Sequence, residues 1–150
     1  MIKTNKGNLL DVTSGIIVHG CNAQGVMGSG IALAVKQKYP GAYEIYKSIY
    51  EANSLFLGDI AWYEVTHGKL FIANAVTQEK YGRDGKRYVN YAAIVQCFKE
   101  AISTAYSCRY DLHFPCIGAG LGGGDWYIIE QLINDCDPKD KVSKNLWVLE

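Results

Sequence analysis

The segment PCIGAGLGGGDW, residues 115–126, is the part of the sequence that most restricts the fold: five of its seven positions 118–124 are glycine. Fixing a glycine in place of an alanine costs roughly 0.5–1 kcal/mol of conformational entropy, so such a run indicates that something comes close to this backbone. The segment follows a short apolar run, residues 112–114, and precedes a helical pattern that begins at Asp125. A glycine loop between a strand and a helix is typical of the ligand-binding edge of α/β folds.

A second glycine loop occupies an equivalent place upstream. The apolar run at residues 16–19 leads into CNAQGVMGSGIALAV, in which Gly25, Gly28 and Gly30 precede another helical pattern. Free backbone N–H groups at a helix start favour a phosphate. Two such loops side by side predict a diphosphate site. The alternative is that the glycines serve only tight turns and close helix–sheet packing.

Alternating strand and helix patterns predict the fold class. Short apolar runs predict strands at residues 16–19, 60–65, 70–76, 112–114 and 146–149, with a further strand before Gly7. Apolar residues at helical spacing predict helices at 29–38, 42–51, 88–106 and 125–136. We therefore expect one domain, residues 1–150, folded as a three-layer α/β/α sandwich with a mixed, mostly parallel sheet of about six strands. His67-Gly68 predicts the turn of an antiparallel hairpin within that sheet.

Composition excludes several classes of partner. Fifteen basic residues balance 15 acidic ones, so no long-range field favours a sequence-specific nucleic acid partner or an anionic membrane. The five cysteines show no CxxC spacing, and neither a signal peptide nor an apolar run of about 18 residues is present. We expect a cytoplasmic protein with reduced thiols. The sequence leaves its oligomeric state open.

Three families of phosphate-binding protein do not fit the loops. Gly118-x-Gly120-x-x-Gly123 matches a dinucleotide fingerprint, but only 27 residues follow Gly123, too few for a second mononucleotide-binding half. Neither loop contains the Gly-Lys-Ser/Thr of a P-loop. A cysteine phosphatase would place an arginine six residues after Cys116, where this chain has Gly122.

Two polar residues next to the loops are candidates for chemistry, each with a structural alternative. The Asn22 amide suits a pair of sugar hydroxyls, or it forms an Asx turn that shapes the loop. Asp125 either caps the fourth helix or polarises a water beside a bound phosphate or sugar. His19 and Cys21 lack further ligand pairs for a metal site, so we expect core packing there.

The segment TQEKYGRDGKRYVNY, residues 77–91, carries four basic side chains with Asp84. It is either a solvated loop, the reading that its composition favours, or a lid over the site. No cofactor or metal is required by any of these residues.

Together these motifs resemble the macro domain, a family that binds ADP-ribose. The matching pieces are GNLLD (7–11), IIVHGCNAQGVMGSGIALAV (16–35), FIANAVTQ (71–78), FPCIGAGLGGGDW (114–126) and the closing LWVLE. They run in family order through nearly the whole chain. The sequence is most similar to the branch that contains ADP-ribose-1''-phosphate phosphatases and glutamate-linked mono-ADP-ribose hydrolases.

The resemblance implies the positions that contact ADP-ribose. The acidic residue that contacts adenine in many macro domains falls at Asn8, followed by Leu9, so the adenine contact departs from the family pattern. Asn22 falls near the distal ribose, with the two glycine loops on either side of the diphosphate. The implied ligand-binding residues are Asn8, Leu9, Asn22, Gly28, Ser29, Gly30, Ile31, Gly118, Ala119, Gly120, Leu121 and Gly122.

The resemblance also implies an activity. We expect hydrolysis of the terminal phosphate of ADP-ribose 1''-phosphate, with Asn22 orienting the ribose and Asp125 acting on the attacking water. ADP-ribose, its 1''-phosphate or a related NAD-derived nucleotide would be the ligand. The alternatives are a binding module without turnover and a hydrolase that removes mono-ADP-ribose from acidic side chains. The latter use a lysine after the strand at 71–77 and an aspartate in the second loop, where this chain has Gln78-Glu79 and Gly122.

Overall fold

A six-stranded sheet runs through the middle of the structure, a computed structural model that describes residues 1–149. The strands are β1 (Ile2–Lys6), β2 (Gly15–Asn22), β3 (Ile60–Thr66), β4 (Leu70–Gln78), β5 (Leu112–Phe114) and β6 (Lys144–Val148). Their order across the sheet is β1-β6-β5-β2-β4-β3. Every neighbouring pair is parallel except β3 and β4, which form the predicted hairpin. The predicted mixed, mostly parallel sheet is thus confirmed.

Four helices cover the two faces of the sheet: α1 (Gly30–Lys38), α2 (Pro40–Glu51), α3 (Tyr91–Cys108) and α4 (Trp126–Asp135). Buried side chains of α3 and α4 pack against one face, and those of α1 and α2 against the other, which gives the predicted three layers. A short 3-10 turn, Leu9–Asp11, was not predicted. Within residues 1–149, no helix is both long and apolar enough to cross a membrane.

Strand β2 lies in the centre of the sheet and is buried on both faces. Ile16 and Val18 face α3 and α4, whereas Ile17 and Cys21 face α1 and α2. All four are almost completely buried. A strand covered by helices on both sides reads as a continuous apolar run, which is why the sequence identified it readily.

Polar residues mark the element ends that sequence periodicity misplaced. α3 begins at Tyr91, not residue 88, because the Asn90 side chain accepts a hydrogen bond from the N–H of Ala93 at 2.9 Å and caps the helix. β6 begins at Lys144, two residues before the predicted start. Lys144 is buried because its ammonium donates to Asp137 at 2.6 Å. A search for apolar runs therefore misses the first residue of this strand, which is charged.

His19 is a buried histidine of β2, as its core interpretation predicts. Its Nε2 lies 2.6 Å from Asn74 Oδ1, while the Asn74 amide donates to the carbonyls of Ala42 and Ala61. Because Asn74 uses its N–H groups on those carbonyls, His19 Nε2 carries the proton and donates to Oδ1. Burial lowers the pKa of His19 from 6.5 to about 4, against a smaller opposing effect of the Asn74 hydrogen bond. The imidazole is therefore neutral at pH 7.

The depressed pKa of His19 predicts a loss of stability in mild acid. Since the unfolded chain binds a proton below pH 6.5 and the folded chain resists it down to about pH 4, acid favours unfolding across that window. Between pH 7 and pH 5 the free energy of unfolding should fall by about 2 kcal/mol from this residue alone. Urea unfolding at a series of pH values measures the slope. His19→Gln should flatten it, and an unchanged slope would contradict the assignment.

Candidate functional site

A cavity of about 670 Å³ opens at the carboxyl ends of β2, β4 and β5. This is the edge at which open α/β sheets bind ligands. The two glycine loops predicted from the sequence lie on opposite sides of it. Ten of the predicted site residues line it: Asn22, Gly28, Ser29, Gly30, Ile31, Gly118, Ala119, Gly120, Leu121 and Gly122.

The cavity exists because β2 continues where β5 stops. β2 pairs with β5 only at Ile16 and Ile17, then runs on to Asn22. Pro115, directly after β5, has no N–H with which to extend the ladder. The chain turns away there, and the last residues of β2 form one wall of the open space.

The start of α1 presents unpaired backbone donors to this space. Ser29 is the N-cap residue, but its side chain makes no capping hydrogen bond. No loop or capping hydrogen bond among the described residues uses the N–H groups of Gly30, Ile31 and Ala32, all of which line the cavity. Because the dipole of α1 adds partial positive charge at the same place, this side of the cavity favours an anion.

Asn22 is held by its own loop. Its Oδ1 accepts from the N–H of Gln24 at 3.0 Å and lies 2.9 Å from the Tyr46 hydroxyl, and its Nδ2 donates to the carbonyl of Val26 at 2.8 Å. The Asx-turn interpretation is therefore present in the structure. Nδ2 carries a second N–H for which no partner exists among residues 1–149, so contact of Asn22 with a ligand stays a prediction.

Most glycines of the second loop are packed against the protein itself. A Cβ added to Gly123, where φ is +71°, would lie 2.4 Å from the carbonyl oxygen of Lys86. The same atom on Gly118 or Gly124 would lie 2.7 or 2.6 Å from a methyl of Val89. The N–H groups of Tyr88 and Val89 both donate to the carbonyl of Gly122, at 2.7 and 3.0 Å. What comes close to this backbone is thus the segment 86–89.

Gly120 and Gly30 differ from these packed glycines. Both line the cavity, and a Cβ on either would meet no atom within 4 Å. Their missing side chains leave room inside the cavity and are not required by any contact of the folded chain. At Gly30 the left-handed φ of +60° already favours glycine, whereas Gly120 has no positive φ and has open space around its Cβ position.

Part of the segment 79–89 contributes to the cavity wall, and most of it is exposed to solvent, so the solvated loop and the lid both stay predictions. Tyr81, Gly82 and Arg83 line the mouth. The Gln78 amide donates to the carbonyl of Lys80 at 2.7 Å and fixes the beginning of the segment. At its far side, Asp84 accepts from the hydroxyl of Tyr88 at 2.9 Å.

The cavity contains few ionisable side chains, and its two thiols are poor nucleophiles. Burial raises the pKa of Cys21 well above its usual range, and burial followed by the charge of Glu130 raises the pKa of Cys116. Both are protonated at neutral pH, in keeping with the exclusion of cysteine phosphatase chemistry. No carboxylate or histidine of the described chain lines the cavity.

Three predicted site residues lie outside the cavity. Asp125 is exposed and caps α4, its Oδ1 accepting from the N–H of Tyr127 at 2.9 Å. Asn8 caps the 3-10 turn through the N–H of Leu10, and Leu9 is buried in the core. The cap interpretation of Asp125 is therefore present in the structure, and its chemical role stays a prediction, as do the adenine contacts of Asn8 and Leu9.

Several lining residues were not predicted. They come from the ends of the strands and from the segment 79–89: Gly20, Cys21, Val26, Ala32, Thr77, Gln78, Tyr81, Gly82, Arg83, Pro115, Cys116, Ile117 and Trp126. The hydroxyl of Thr77 is buried and has no hydrogen-bond partner among residues 1–149. The position of Gln78 at the end of β4 was the available signal, because strand ends converge at this edge.

The two classes of glycine predict losses of stability of different size when alanine replaces them. Gly123→Ala should lower the free energy of unfolding by about 2 kcal/mol, because it combines a left-handed backbone with a clash against a carbonyl. Gly120→Ala should change it by less than about 0.5 kcal/mol. Urea denaturation of both variants measures the difference. Equal losses would contradict the division into packed and open glycines.

Comparison with known proteins places the chain among relatives of different lengths. A family model described as Macro domain matches residues 18–133. A 17.5 kDa protein of Enterobacteria phage T4 is 32% identical over 129 residues, which are 82% of this chain and 80% of that protein. A solved protein from Bacteroides thetaiotaomicron superposes with a TM-score of 0.90 at 30% identity, covering 98% of this chain and 97% of that one.

Other relatives have enzyme names, and the chain matches only part of each of the two described next. The DNA ADP-ribosyl glycohydrolase of Thermus aquaticus is 28% identical over 141 residues, 90% of this chain but 37% of that protein. The ADP-ribose 1''-phosphate phosphatase of Aspergillus oryzae is 52% identical over 48 residues, 31% of this chain and 24% of that protein. With the family match spanning most of the sequence and the fold shared over nearly all of it, the chain belongs to the macro domain family.

Proposed function

We propose that this protein binds ADP-ribose 1''-phosphate in the cavity and hydrolyses its terminal phosphate. The observation that carries the proposal is the set of unpaired N–H groups at the start of α1, in a cavity to which no carboxylate of residues 1–149 contributes. Such donors suit a diphosphate. The volume of about 670 Å³ falls within the range of small-molecule sites.

In this proposal the diphosphate lies over the first turn of α1, and the distal ribose lies between Asn22 and the second glycine loop. Water attacks the terminal phosphorus, the bond between phosphorus and the ribose oxygen breaks, and that oxygen takes a proton. Catalysis of phosphoryl transfer depends chiefly on positioning of the reactants and on neutralisation of negative charge. Backbone N–H groups can neutralise that charge. Asp125 orients the water from the mouth, beside Trp126, which lines the cavity.

A binding module without turnover is the second candidate. It is favoured by the absence of any carboxylate or histidine from the lining formed by residues 1–149. Removal of ADP-ribose from acidic side chains has less support. The lysine expected for it is replaced by Gln78, whose amide is already bonded to Lys80.

Substitutions of Asp125 distinguish the enzyme hypothesis from the binding-module hypothesis. Asn is as good an N-cap as Asp, so Asp125→Asn should keep the melting temperature while phosphate release falls about 10²–10⁴-fold. Asp125→Ala should lose the same activity and also about 1 kcal/mol of stability. A phosphate-release assay with ADP-ribose 1''-phosphate measures the rates. Full activity of Asp125→Asn would remove this carboxylate from the mechanism, and no release by the unmodified protein would leave only the binding module.

Gly120→Ala tests the cavity under either candidate. A methyl group at this open position would displace the ligand from the second loop, so the affinity for ADP-ribose should fall about tenfold. Calorimetric titration of both proteins measures it, and an unchanged urea unfolding midpoint of Gly120→Ala is the control for intact folding, because a Cβ there meets no atom within 4 Å. Unchanged affinity would place the ligand elsewhere.

A further inference from the structure

The four basic side chains in the segment 79–89 do not have the same surroundings. The Arg87 guanidinium lies over the ring of Tyr91, 4.8 Å from its centroid. The Lys86 ammonium lies 3.9 Å from Asp84. Lys80 is exposed and does not line the cavity. Arg83 alone of the four lines it.

Arg83 is also available for a ligand. Between residues 1 and 149 its guanidinium forms no salt bridge. It is the one cationic side chain in the lining contributed by the described residues. An exposed arginine at the mouth of a site without carboxylates has no internal anion to neutralise it, and its planar fork suits a phosphate.

The segment holds Arg83 in place. Before it, the Gln78 amide fixes the carbonyl of Lys80. After it, Asp84 accepts from the backbone N–H of Lys86 at 3.1 Å and from the hydroxyl of Tyr88. These hydrogen bonds keep the pKa of the Asp84 carboxyl below its usual range, so Asp84 remains an anion and keeps this geometry. Tyr88 is in turn bonded to the carbonyl of Gly122 in the second glycine loop.

We infer that Arg83 is the residue that makes the site prefer a ligand with a terminal phosphate over ADP-ribose itself. The inference rests on the proposed function, because it assumes that an ADP-ribose moiety fills the cavity. A terminal phosphate adds about 1.5–2 negative charges at pH 7. The N–H groups of α1 are occupied by the diphosphate, which leaves Arg83 as the cation for the additional charge.

The test compares two ligands in a protein that does not consume either. In the Asp125→Asn background, ADP-ribose and ADP-ribose 1''-phosphate are titrated by calorimetry with Arg83 intact and with Arg83→Gln, while a phosphate assay checks that the second ligand survives. Hydrogen bonds to a charged group predict that Arg83→Gln weakens binding of the 1''-phosphate about 10–100-fold and that of ADP-ribose less than about twofold. Arg83→Lys should restore part of the preference, and added salt should reduce it.

Lys80→Gln is the matched control, since it removes the same charge from the same segment outside the cavity. It should leave the ratio of the two affinities unchanged. Two results would overturn the inference. One is that Arg83→Gln weakens the binding of both ligands equally, and the other is that Lys80→Gln changes the ratio of the two affinities as much as Arg83→Gln does. If the protein binds both ligands but the unmodified enzyme releases no phosphate, the phosphatase proposal fails while the altered ratio still supports Arg83. If ADP-ribose is not bound at all, both fail.

Discussion

The short pairing between β2 and β5 is the constraint from which the rest of the site follows. Two paired positions, Ile16 and Ile17, hold the strands together, and Pro115 then prevents β5 from continuing. β2 itself continues because β4 pairs with it as far as Asn22, with a register shift between Cys21 and Asn22. The helices that follow β2 and β5 lie on opposite faces of the sheet, so the two loops separate there and leave the cavity between them.

The second glycine loop is shaped by a neighbour from a distant part of the sequence. Gly118, Gly123 and Gly124 make room for Lys86 and Val89, and the carbonyl of Gly122 accepts hydrogen bonds from the same segment. The loop and the segment 86–89 therefore form one unit. Since the backbone of the loop is fixed by this packing, its cavity side is organised before any ligand enters, and binding need not order it.

The sequence predicted the layers of the fold better than the contacts within the site. The four helices and strands β2 to β6 were predicted because apolar periodicity records burial, whereas β1 is mostly polar and was expected only as a further strand before Gly7. The start of β6 was missed because Lys144 is a charged residue whose burial depends on its ion pair with Asp137. Apolar periodicity does not predict such a pair. The glycine loops were predicted to lie at the site, but the sequence does not distinguish a glycine packed against the protein from one that borders open space. The difference between Gly123 and Gly120 depends on Lys86, more than thirty positions away.

Under the proposed function, the chemistry depends on the side chains that reach the terminal phosphate more than on the glycine loops. N–H groups that hold the diphosphate do so equally in the substrate, in the transition state and in the product ADP-ribose. Such uniform binding raises affinity without lowering the barrier to hydrolysis. Only groups that meet the terminal phosphate or the attacking water can lower it. The proposed candidates are Arg83, which lines the cavity, and Asp125, which directly precedes the lining residue Trp126. Under the proposed function, the glycine loops account for affinity, and turnover depends on these two side chains.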